Sequence, residues 1–213
     1  MRTDDLIDAL AANAGPAPGG VPARRLLIAA VFGGAVALAL ILAWLGVRPD
    51  LHQAMLGAFF WVKAGYTALL AGAGFWACER LSRPTGSGRR AFWLAGAVLV
   101  LFAGAGLAQM MLVNPDQRMD LVRGDSIAHC LRNILILGGL MLAASLLALR
   151  GLAPTRPTLA GFAAGLFSGA VCATVYGLHC GESTLVFVGA WYSLGVLLVA
   201  GLGALIGRWA LRW

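Results

Sequence analysis

Six stretches of about twenty apolar residues, each close to the length a helix needs to cross a bilayer, leave this chain few ways to fold. They cover residues 26–47, 54–77, 91–113, 130–149, 159–178 and 185–206. Lipid offers no partner to open backbone, so spanning segments of this kind are helical. The expected fold is an all-α membrane protein with six transmembrane helices. These form one domain over residues 26–213, behind a polar segment at 1–25. Only 12% of the 213 residues are charged, about half the share of a soluble domain. The first run is too long and starts too late to be the apolar core of a cleavable signal peptide. The many Gly and Ala residues suit close approach between helices.

Charge sets the expected orientation. With the N-terminus in the cytoplasm, the inner segments carry eleven arginines: Arg2, Arg24, Arg25, Arg80, Arg83, Arg89, Arg90, Arg150, Arg156, Arg208 and Arg212. The outer side carries four, Arg48, Arg118, Arg123 and Arg132. That asymmetry places both termini in the cytoplasm. The same distribution argues against direct nucleic-acid binding, because the arginines lie in short loops and not along one amphipathic element.

Residues 1–25 are the one sizeable polar segment. Thr3, Asp4 and Asp5 form a helix start, with acids near the positive end of the helix dipole. Leu6, Ile7 and Leu10 follow at helical spacing on one face, with Ala14. Gly15-Pro16 ends this short amphipathic helix, and the PAPGGVP stretch at 16–22 is a linker. About eleven residues of helix are marginal alone in water, so the segment is either a disordered tail without a partner or orders only against something else. An anionic membrane surface repels Asp4, Asp5 and Asp8, whereas a groove on a basic protein attracts them while burying the leucines.

Two His-Cys steps, His129-Cys130 and His179-Cys180, each stand where an apolar run meets an outer polar loop. Spans four and five are joined on the inner side, so their outer ends are expected to be neighbours. Three readings of the thiols stay open. They can be a redox or metal-responsive pair, with imidazole and thiolate suited to zinc, copper or another soft metal and Glu182 adding a carboxylate. They can be a permanent disulfide in an oxidising periplasm. They can also be unrelated buried thiols, the usual role of cysteine in a core and the one expected of Cys78 and Cys172.

Lys63 is the only lysine and falls inside the second run. An intramembrane ammonium is a functional candidate unless it reaches out to the headgroups. Gln109 and Tyr192 are candidate polar partners. No nucleophile set, phosphate loop or cluster of carboxylates marks an enzyme.

The TDDLIDALA start, the linker to six spans, the outer His129-Cys130, and the HCGES stretch from His179 followed by FVGAWY from Phe187 resemble the NrsF family of membrane anti-sigma factors. The resemblance covers the whole chain. It implies a protein of the inner membrane of a Gram-negative bacterium that holds an extracytoplasmic-function sigma factor inactive. By this resemblance the N-terminal segment, with Asp4, Asp5, Leu6, Ile7, Asp8 and Leu10, binds the sigma factor. Cys130 and Cys180 then serve in sensing heavy-metal or oxidative stress. No resident cofactor is implied beyond reversible binding of a soft metal at the two thiols, with His129, His179 and Glu182 as auxiliary ligands. No oligomeric state is implied. The alternative is a small transporter or metal-handling membrane protein with an outer Cys/His site.

Overall fold

A computed structural model of the chain describes residues 2–12, 20–124, 126–152 and 154–212. The expected helix stop at Gly15-Pro16, Ala14, the first part of the linker and Asp125 lie outside the described residues. The described residues form helices and no strand. In order these are α1 (Thr3–Ala12), α2 (Val21–Leu40), α3 (Leu51–Leu56), α4 (Ala58–Leu81), α5 (Arg89–Met111), α6 (Arg118–Arg123), α7 (Ile127–Leu149), α8 (Pro157–Tyr176), α9 (Leu185–Phe187) and α10 (Ser193–Ala210). A π-turn at Ile41–Leu45 prolongs α2, another at Val188–Tyr192 joins α9 to α10, and a 3₁₀ turn at Pro115–Gln117 precedes α6.

Five helical segments are long and apolar enough to cross a bilayer: Val21–Leu45, Arg89–Met111, the segment holding α7, Pro157–Tyr176 and Leu185–Ala210. α4 is just as long at 24 residues but more polar, carrying Lys63, Thr67, Glu79 and Arg80. The second run also departs from its expected bounds. Gly57 is extended (φ −83°, ψ 142°) and its N–H closes α3 onto the Ala54 carbonyl at 3.0 Å. The run therefore splits into α3 and an α4 that continues to Leu81. Lys63 accordingly lies near the start of α4 and not within one unbroken span.

α8 is the central helix. Most of its residues are buried, and it packs against α2, α4, α7 and α10. Its small side chains are the cause. A Cβ on Gly165 would meet the Val199 carbonyl and lie 2.6 Å from the Ala200 Cα. One on Gly161 would strike the Gly203 carbonyl and lie 2.8 Å from the Gly207 Cα. Backbones in direct contact collect dispersion energy along the whole α8–α10 seam, where lipid supplies no hydrophobic drive between helices. Gly165→Leu should force the seam apart and destabilise the bundle by about 1–3 kcal/mol or more. Thermal unfolding in detergent measures this, and an unchanged midpoint would refute the seam. Hydroxyl pairs bridge helices within the interior: Ser145 with Ser168 at 2.9 Å, and Thr174 with Thr67 at 2.8 Å. Cys78 and Cys172 are buried in this core, the latter 3.8 Å from the Met141 sulfur.

The loops gather at two ends. At one, the Arg25 guanidinium donates to the Arg150 carbonyl (3.1 Å), Arg150 Nε donates to the Ala210 carbonyl (3.2 Å) and Thr155 donates to the Pro84 carbonyl (3.4 Å). This end holds the start of α2, the end of α10 and most arginines. The other end holds residues 46–57, α6 and the loop after α8, where both His-Cys steps lie. α1 contributes no buried residue, and its Leu6, Ile7 and Leu10 are 42%, 57% and 65% exposed. It begins at Thr3 itself, and the Asp5 carboxylate accepts the Arg2 N–H (3.2 Å), capping its free amino end.

Candidate functional site

Cys130 belongs to the first turn of α7, its N–H bonded to the Ser126 carbonyl at 2.8 Å. Cys180 closes the turn after α8, its N–H bonded to the Tyr176 carbonyl at 3.1 Å. The two helix ends converge as the short connection between α7 and α8 predicts, and the two thiols stand close enough to influence each other's ionisation. Both are free and buried, with residue exposures of 0% and 3%. The Cys180 thiol is held below its ordinary range, first by its interaction with the neighbouring Cys130 thiol. Burial opposes that effect, and the nearby Lys63 ammonium adds to it.

Lys63 is 3% exposed and neither reaches the headgroups nor pairs with Gln109. Its Nζ donates to the carbonyls of Cys180 (2.9 Å) and Glu182 (3.1 Å) and stands 5.7 Å from the centre of the Tyr192 ring. Of the two partners expected from sequence, Tyr192 stands over the ammonium, and backbone carbonyls of the thiol-bearing loop take the place of Gln109. Gln109 instead accepts the N–H groups of Leu185 (2.8 Å) and Val186 (3.2 Å), where α9 starts with unpaired donors. Lys63→Met should leave two carbonyls without their donor, costing about 1–3 kcal/mol. It should also speed maleimide labelling of Cys180. Unchanged stability and labelling would show that the ammonium does not hold the loop.

The other expected site residues are placed apart. His129 is exposed on α7. His179 Nδ1 bonds the Gly46 carbonyl at 2.7 Å, and its ring lies 5.4 Å from that of Tyr176. The Glu182 carboxylate accepts the Ser126 N–H (3.1 Å) and hydroxyl (2.8 Å), capping α7 from a distant loop. Among the described residues no three His, Cys, Asp or Glu side chains are grouped to hold a metal ion. The donor set is two sulfurs, two ligands short of a structural zinc site; it fits a thiophilic metal or oxidation to a disulfide.

Arg48 was read only as a loop charge, and the structure gives it a larger role. Its guanidinium holds Asp50 in two hydrogen bonds (2.7 and 2.6 Å) and donates to the Cys180 carbonyl at 3.5 Å. That pairing keeps the Asp50 carboxyl below the usual carboxylate range. Trp191 donates from Nε1 to the Val122 carbonyl at 2.7 Å and ties α6 to the π-turn that leads into the last helix. Tyr192 is fully buried beside the thiols. Each of these links joins residues far apart in the chain, so no local spacing announces them.

These features define an all-helical bundle whose long apolar helices suit a membrane, with a thiol pair locked into one end and an exposed acidic, leucine-bearing helix ahead of it. Comparison with known proteins gives the family. The family profile described as "NrsF: Negative regulator of sigma F" matches residues 10–213. The chain is 57% identical over 216 residues to "Anti-sigma-F factor NrsF" of Caulobacter vibrioides (strain NA1000 / CB15N), covering 100% of both chains. It is 44% identical over 217 residues to "Probable anti-sigma-F factor NrsF" of Azospira oryzae (strain ATCC BAA-33 / DSM 13638 / PS), again covering 100% of both. The chain belongs to the NrsF family of negative regulators of sigma F. No solved structure matches it.

Proposed function

We propose that the chain is an inner-membrane anti-sigma factor that holds an extracytoplasmic-function sigma factor through α1. It releases that factor when Cys130 and Cys180 react with a soft metal or an oxidant on the periplasmic side. The observation that carries this reading is the division of the molecule. One end locks two neighbouring buried cysteines in place, and the first spanning helix starts at the other end, preceded by a helix with an exposed apolar face. Burying Leu6, Ile7 and Leu10 in a groove would contribute about 1.5–3 kcal/mol each before ordering costs. Asp4, Asp5 and Asp8 add charge that favours a basic partner. Adjacent thiols can lose two electrons together or share one thiophilic metal ion, and either event alters the contact between α7 and the loop after α8.

In this reading α4 is the sixth span, and the arginine-rich end faces the cytoplasm. Cysteines placed at exposed positions test the orientation. A membrane-impermeant maleimide added to spheroplasts should label Gly181→Cys and spare Arg2→Cys. Labelling of both, or of Arg2→Cys alone, would overturn the proposal. The transporter alternative gains no comparable observation: glycines in backbone contact close the seam between α8 and α10.

A further inference from the structure

The loop after α8 does more than present Cys180. It is bonded at three points to the turn that ends the first spanning helix. His179 Nδ1 bonds the Gly46 carbonyl (2.7 Å), the Arg48 N–H donates to the Leu178 carbonyl (3.2 Å), and Arg48 Nη1 donates to the Cys180 carbonyl (3.5 Å). The paired Asp50 carboxylate fixes the Arg48 guanidinium in that position. Lys63 holds the same Cys180 carbonyl from α4 at 2.9 Å. A displacement of the Cys180 backbone therefore acts directly on residues 46–48.

From that turn, Val21–Leu45 runs back through the bundle for 25 residues, or about 37 Å at 1.5 Å per residue. At its far end Arg25 is bonded to the Arg150 carbonyl, and the chain leads on to α1. The helix is loosely held between its ends. Its buried residues are Pro22, Leu26, Ala29, Gly33, Ala37 and Ile41, a single narrow line, with Gly33 against Met141 of α7. A cleft of about 250 Å³ lies along that seam, lined by Phe32, Val36, Leu40 and Leu140 among others. The π-turn at Ile41–Leu45 and Gly46 at φ +78° stand at the gripped end. A π-turn holds one residue more than an α-turn, which gives the helix a place to change register. A thin seam, small in its middle at Ala29, Gly33 and Ala37, permits sliding by shear.

We propose that α2 is the lever that carries the state of the Cys130–Cys180 pair to the N-terminal segment, and that Arg48 and His179 are the grip by which the thiol-bearing loop moves it. The proposal rests on the thiol-sensor reading above. It adds the element that joins the two sites, a bistable contact that both ends can bias.

The test uses the full chain in lipid nanodiscs, either reduced or oxidised with diamide. The two thiols surrender two protons and two electrons to the N=N bond of diamide, which becomes a hydrazine as one S–S bond forms. Amide hydrogen exchange is read over residues 20–26 and 41–50. In the wild type, oxidation should change exchange at both ends of α2 by about threefold or more. In Arg48→Gln with His179→Gln the same disulfide, confirmed by mass, should leave residues 20–26 unchanged, and restoring His179 with Arg48→Lys should bring back part of the response. If the double variant fails to insert, the single Arg48→Gln is read in the same way. A response at 20–26 that survives loss of the grip would overturn the proposal, as would a wild type whose oxidation never reaches those residues. This readout needs no sigma factor. A lever that moves without releasing the partner refutes the functional reading alone, and release without movement of α2 refutes the lever alone.

Discussion

A chain carrying both Cys130→Ser and Cys180→Ser is expected to hold its sigma factor normally and never to release it. The thiols make few of the bonds that position their own loop. That loop is held through carbonyls by Lys63 and Arg48, through the His179 ring, and through the Glu182 cap on Ser126. Serine is slightly smaller than cysteine and fits the same buried space. The bundle should therefore stay folded at a cost of about 1–2 kcal/mol. A hydroxyl neither forms a disulfide nor binds a thiophilic metal, so the chemistry is removed while the architecture remains. A target-gene reporter should stay at its uninduced level under diamide or a thiophilic metal ion, with co-purification of the sigma factor unchanged. Induction that survives the double substitution would place the sensor elsewhere in the chain.

The opposite phenotype is expected at the other site. Leu6→Asp with Leu10→Asp removes two apolar side chains from the exposed face of α1 and adds two charges. The lost burial amounts to about 3–6 kcal/mol, which corresponds to a roughly 10²- to 10⁴-fold weaker complex. Leu6 lies in the amino-terminal half of α1, where Asp is tolerated. Leu10 lies in its last turn, where a negative charge opposes the helix dipole, so a Leu10→Ser companion variant keeps the test of the apolar face separate from loss of helix. The bundle should be indifferent, because α1 contributes no buried residue to it. Target genes should be on without any stress, while thermal unfolding of the membrane domain keeps its wild-type midpoint. Silent target genes and an undiminished pull-down would show that the sigma factor is held elsewhere.

Much of this was readable from composition and period. Long uncharged runs define spans, and loop arginines define ends, because lipid excludes open backbone and charge whatever the neighbours are. The neighbouring thiols were legible because a short connection between α7 and α8 leaves their far ends side by side. Other features were not. Gly57 reads as an ordinary glycine inside an apolar run, yet it breaks the helix and moves Lys63 to the loop it holds. Gln109 and Glu182 read as ligand or partner residues, yet they cap α9 and α7, since each helix start presents unpaired N–H groups that some distant oxygen has to meet. Arg48 reads as a stray outer charge, yet it holds the Cys180 carbonyl.

By itself, the order of residues determined what depends on local chemistry: helices in lipid, a basic end opposite a thiol end, and an acidic amphipathic helix at the start. The tertiary structure alone decided who meets whom. Partnership depends on which backbone groups the bundle leaves unpaired and how closely glycine lets helices approach, and both are properties of the assembled helices. Thus Lys63 found two backbone carbonyls beside the Tyr192 ring, the His179 ring took the Gly46 carbonyl, and the end of the first spanning helix came to be tied to Cys180.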